Sequence, residues 1–148
     1  MDNILSIIAI ILSVISGGFT FYAFIWTNRR DRKQATLDAF NQLQEQALDE
    51  LNYYKPEQVV EIAKHPRSEE FKKISSYIAR IEHFCVGVNH SIYDKEVVYA
   101  LAEGYFNGAI RARIEPIISQ KNKYGSKDYY ENIHQIFKWL ETRKAKKK

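Results

Sequence analysis

Between Asp2 and Arg29 the chain carries no charged side chain. A surface helix of a soluble domain needs a polar face, and this stretch offers only small hydroxyls, so an ordinary amphipathic helix is excluded. Cysteine is nearly absent. Cys85 stands alone, which rules out an intramolecular disulfide and gives no sign of an oxidising compartment. Proline occurs at positions 56, 66 and 116 only, leaving long segments free to be helical. No useful run of period-two alternation occurs, and no repeat of solenoid length, so the fold class predicted is all-α. Catalytic signatures are missing as well: there is no phosphate-binding glycine loop, dinucleotide fingerprint, nucleophile elbow or H-E-x-x-H. Glu131 and His134 make a single Glu-x-x-His pair, and the second copy that a di-iron bundle requires is lacking. His83 and Cys85, two apart on a helix, project in different directions. The reading is of a non-enzyme, without metal or cofactor.

What is present begins with the apolar run itself. The residues from Ile4 to Trp26 would form a helix of about 34 Å, enough to cross a hydrocarbon core of about 30 Å. Arg29, Arg30, Arg32 and Lys33 follow at once, whereas Met1, Asp2 and Asn3 carry no side-chain cation. The positive-inside rule then puts the C-terminal part in the cytoplasm, as a retained single-pass anchor rather than a cleaved signal. Ser6, Ala9, Ser13, Ser16, Thr20, Ala23 and Thr27 recur at steps of three and four along one side. Such a seam suits self-association of the span into a homo-oligomer. A hydroxyl-lined pore and a plain monomeric anchor are the alternatives.

The chain therefore divides into a transmembrane helix at 1–28, a helical stalk at 29–55, a cytoplasmic helical domain at 56–142 and a basic tail at 143–148. The stalk lacks Pro and Gly as far as Tyr53 and keeps Leu37, Phe40, Leu43, Ala47, Leu48 and Leu51 at helical spacing. Pro56 starts a short helix that ends near His65-Pro66. Ser68 caps the next, with Phe71, Ile74, Ile78, Ile81, Cys85 and Val88 as its core stripe. Asp94 caps a further helix, expected to run to a bend at Pro116. Ala100, Gly104, Gly108 and Ala112 form a small stripe along it, suited to close helix packing or to a ligand shelf. The last helix is capped by Ser126 or Asp128.

Beyond the apolar run the chain carries 22 basic and 17 acidic residues, a charge of about +5. That is too little for binding long nucleic acid. A small anionic ligand is chemically better matched. Arg111 and Arg113 stand close in sequence to Lys121, Lys123 and Tyr124, combining phosphate-binding cations with an aromatic surface for a base. The bland reading of the same residues is solvated lysines and rim tyrosines.

Two resemblances follow. The stretch Ser91-Ile92-Tyr93-Asp94-Lys95-Glu96, with Tyr105-Phe106, Ile114-Glu115-Pro116-Ile117, and Tyr124-Gly125 leading to Tyr129-Tyr130, resembles a widespread bacterial family of unknown function. Its members pair one N-terminal span with a small helical cytoplasmic domain. In size and layout the chain is also similar to membrane-anchored effectors of type III CRISPR defence. That similarity implies a cytoplasmic domain binding a cyclic oligoadenylate and an oligomeric span that disrupts the membrane. The expectation is thus an antiviral effector, with itself, membrane lipid and a cyclic oligonucleotide as partners. The alternative is a membrane-anchored adaptor that docks a cytoplasmic protein.

Overall fold

The computed structural model describes residues 2–106, 108–123 and 129–146, apart from the side chains of 2–5 and 9. Among them the secondary structure is helical throughout, a long apolar N-terminal helix followed by a helical bundle, as the absence of alternation predicts. Helix α1 spans Asp2–Leu43, a single wide turn covers Gln44–Leu48, and α2 spans Asp49–Asn52, so the helical path is unbroken from Asp2 to Asn52. The remaining helices are α3 (Pro56–Ala63), α4 (Glu69–Asn89), α5 (Lys95–Tyr105), α6 (Gly108–Asn122) and α7 (Glu131–Ala145).

This path has two environments. From Ser6 to Ala35 every described side chain is exposed, and the apolar part is long enough to cross a membrane with none of it buried in the protein. From Thr36 onward one face is buried. Thr36, Phe40, Leu43, Ala47, Leu48 and Leu51 all enter the core. The segment read as a stalk therefore splits at Thr36, and its second half is a core helix of the bundle. The wide turn explains how Ala47 and Leu48, neighbours in sequence, can both be fully buried. Its bond from the Asp49 N–H to the Gln44 carbonyl takes in one extra residue, which rotates the following turn back onto the core.

Around this helix α4 packs against α1, the wide turn and α7, while α3 packs against α6. The Ser68 hydroxyl accepts from the Phe71 N–H at 3.1 Å, and Asp94 accepts from the Glu96 and Val97 N–H groups at 3.0 and 3.1 Å, so both expected caps are present. The caps expected for the last helix, Ser126 and Asp128, lie outside the described residues. Part of their task falls to another helix. Glu82 of α4 accepts from the backbone N–H groups of Asn132 (3.2 Å) and Ile133 (2.9 Å), placing a carboxylate at the positive end of α7.

One expectation is corrected. The helix after Asp94 does not run to Pro116; α5 stops at Tyr105 and a new helix starts at Gly108, with Pro116 inside it. The Gly104–Gly108 stretch has poor helix propensity, and Phe106 turns inward to meet Phe40 and Phe137 at ring distances of 6.4 and 5.9 Å. Buried Ile110 and Ile114 before Pro116, with Ile117 and Ile118 after it, hold α6 in place across the missing donor. The small stripe is thereby divided between two helices. A Cβ on Gly104 or Gly108 would meet open space, so neither glycine is explained by close packing within the chain.

Candidate functional site

The cations expected to meet a ligand are spread through the bundle. Arg111 and Lys121 are ten residues apart on α6, about 15 Å of helix. Arg111 pairs with Glu141 (2.6 Å) and Glu115 (3.3 Å) and lies over the Phe137 ring. Arg113 points elsewhere and donates to the Tyr54 carbonyl at 2.7 Å, closing the end of the long helical path. Lys121 donates to the Tyr130 hydroxyl at 2.9 Å beside a recess lined with Pro66, Phe71 and Tyr129. Among the described residues Lys123 reaches Gln120, at 3.4 Å, and Tyr124 lies outside them. The structure thus brings no two of the described members of this set to one site.

A different cluster does converge. Between the buried half of the long helix and α4 lies an open groove of about 340 Å³, with Gln42 and Gln46 on one wall and Arg80 and His83 on the other. Its inner end is aromatic. Phe84 and Tyr93 stack with centroids 5.1 Å apart and planes within 20°. Tyr93 can lie there only because residue 87 is glycine; a Cβ at Gly87 would overlap the Tyr93 ring. Arg80 donates to the Gln46 side-chain oxygen, a neutral acceptor, and among the described residues no carboxylate pairs with it. The lining includes no Asp or Glu. Such a groove can offer guanidinium and amide donors to an anion and a flat apolar surface to a ring. Its volume falls within the range of small-ligand sites.

Beside the groove the bundle is latched to α1. Thr36, fully buried, donates to the Arg32 carbonyl (2.7 Å) and accepts from the Asp94 N–H (2.8 Å). Arg32 reaches the Asp94 carboxylate at 3.8 Å and the Ser91 carbonyl at 3.5 Å. Ser91 adopts a positive φ of 59°, which turns the chain back from α4 toward α1.

The other residues weighed for chemistry, and the seam, find these places. Cys85 is wholly buried, and burial pushes its thiol up, away from nucleophilic use. His134 lies 3.8 Å from Glu115. Among the described residues no three of His, Cys, Asp and Glu gather as metal ligands would. The seam residues Ser6, Ser13, Ser16, Thr20, Ala23 and Thr27 are all exposed, with the Thr20 hydroxyl bonded back to the Ser16 carbonyl at 2.9 Å; the side chain of Ala9 is outside the description. Sequence reasoning missed the groove because its walls are separate helices. Gln42, Gln46, Arg80 and His83 look like ordinary solvated positions until α1 and α4 are paired.

A family model described as a domain of unknown function, DUF4760, matches residues 7–139, and the chain belongs to that family. No curated protein and no solved structure matches it.

Proposed function

We propose that this DUF4760 member is a non-enzymatic, single-span membrane protein whose cytoplasmic bundle binds a small anionic ligand and passes that event to the span. The observation that carries the reading is the placement of the groove: one of its walls is the same unbroken helix, Asp2–Asn52, that supplies the apolar segment. A ligand that fits the groove better in one arrangement of α1 and α4 than in another biases that arrangement, and a stiff helix carries the bias outward. The family match begins at residue 7, so most of the apolar run belongs to the matched domain. The basic residues directly after the run support a cytoplasmic bundle.

In its fuller form the proposal is an antiviral defence effector. A cyclic oligonucleotide would occupy the groove, and spans associated through the Ser, Ala and Thr seam would rotate or separate to breach the membrane. Layout, the seam and the cationic-aromatic groove support it. The test uses the full chain in detergent with cyclic oligoadenylates and adenine nucleotides. A rise in melting temperature that Arg80→Ala abolishes, and Arg111→Ala leaves intact, is expected. No shift with any of these ligands overturns the nucleotide reading. Replacing Ser13, Ser16 and Thr20 together by Leu should abolish ligand-dependent growth arrest in cells at unchanged expression. Arrest that persists overturns the role of the seam.

A second reading is an adaptor docking a cytoplasmic protein. Tyr53 (82% exposed) and Val60 (48%) favour it, lying either side of the turn into α3 as apolar surface without cover.

A further inference from the structure

The bundle end nearest the apolar helix is assembled from three segments distant in sequence. The first is α1 itself. Trp26 closes the apolar run, and with Arg29, Arg30 and Lys33 it lines a shallow recess along the helix. The second is the loop between α4 and α5, held to α1 through Arg32 and Thr36. Arg32 lies six residues past Trp26, about 9 Å along the helix. Helical side chains lean toward the N-terminus, so its bond to the Ser91 carbonyl draws the loop back toward the apolar end. A headgroup layer is about 5–7 Å deep beyond the hydrocarbon. Next to Ser91, Ile92 is 61% exposed, a large apolar side chain open to solvent, and Lys95 follows it in the open.

The third segment is the C-terminal end of α7. Trp139 packs edge-on to Tyr99 (6.1 Å), and one turn later Arg143 reaches Glu96 (2.5 Å) and the Tyr99 ring (4.3 Å). α7 therefore runs antiparallel to α5 and delivers exposed Lys144 and Lys146 toward the end of α5 that Asp94 ties to Thr36. Opposing acids are few there. Asp94 is buried beneath Arg32, Glu96 is engaged by Arg143, and of the exposed acids that follow the apolar run on α1, Asp38 accepts from Gln34 at 2.9 Å and Asp31 lies among the cations.

We propose that this end is a docking surface for anionic phospholipid: Ile92 enters the headgroup layer of the bilayer that α1 crosses, and the cations around it bind lipid phosphates and fix the bundle's inclination. The proposal rests on the reading of α1 as a span. Cations close to an anionic leaflet each strengthen attraction about fivefold, and an apolar side chain at the same depth adds to it. The surface also gives the lever a fulcrum, because the loop that touches lipid is the loop that grips α1.

The test places a fluorophore on Ile92→Cys, and separately on Tyr53→Cys, in the full chain reconstituted into phosphatidylcholine vesicles with and without phosphatidylglycerol. Buried Cys85 does not label in the folded protein. Headgroup-nitroxide lipids should quench position 92 and spare position 53. Quenching at 92 should increase with phosphatidylglycerol and be lost with Lys95→Glu combined with Arg30→Glu. Protein that floats with the vesicles yet shows equal, weak quenching at both positions overturns the docking surface alone. Protein that does not float with the vesicles overturns the span reading, and the docking surface with it.

Discussion

Two stretches of one helix, Ser6–Ala35 and Thr36–Leu51, differ in almost everything except backbone conformation. The first is apolar as far as Trp26, interrupted by a face of Ser, Ala and Thr, then polar and charged from Asn28 to Gln34, and none of its described side chains is buried in the protein. The second is amphipathic, and its apolar face is the middle of the core. An apolar side chain contributes to folding only when folding removes it from water, so equal residues in the two stretches should count very differently. The teaching of the pair is that one helix can carry an apolar stretch of membrane-crossing length and a core element in turn, without a linker between them.

The sharpest way to break this comparison is to truncate one aromatic in each half. Phe40→Ala removes the ring that meets Phe84, Tyr105 and Phe106, and about 3–5 kcal/mol of stability should go with it, measured by denaturant unfolding in mild detergent. Phe19→Ala should change that stability by no more than about 0.5 kcal/mol. Comparable losses would mean that the apolar half packs within the folded unit. Gly87→Ala comes next. Its Cβ must displace the Tyr93 ring from Phe84, costing about 1–3 kcal/mol and distorting the groove. Thr36→Val keeps the shape and strands the Asp94 N–H in a buried place, for about 1–2 kcal/mol. Nearly wild-type unfolding of Thr36→Val would remove the latch from the account. The smallest effect has the opposite sign. Gly104→Ala fills open space on a helix and should stabilise the protein by up to about 1 kcal/mol; a loss would reveal a neighbouring copy packed against that glycine.

Much of this architecture was legible in the sequence because it is local. The apolar run, the Ser68 and Asp94 caps, Pro56 at a helix start and the Phe71 to Val88 stripe each follow from spacing and capping within one element. What escaped was the product of pairing between elements. Glu82 reads as a surface acid on α4 until α7 is placed with its N-terminus on the carboxylate. Pro116 reads as a bend in one long helix from Asp94, because the four isoleucines that hold α6 in place as a separate helix act through partners on other helices. Arg111 and Arg113 look like neighbours, yet two residues along a helix point nearly opposite ways, and each met a different structural partner. Thr36 resembles any polar residue on a stalk, and only the return of the chain at Ser91 gives it a task. The wide turn at Gln44–Leu48 had one faint trace, the adjacent apolar pair Ala47-Leu48.

The central claim is that the apolar helix and the bundle share one stiff element. It is tested most directly by spin labels at Tyr22→Cys and Asn52→Cys in the full chain, reconstituted in lipid and diluted with unlabelled protein. An unbroken helix over those thirty residues sets the labelled backbone positions about 45 Å apart. The account predicts a single narrow distance distribution near that value, the same in detergent and in bilayer. A broad or much shorter distribution, marking a hinge near Arg29–Lys33, would contradict it.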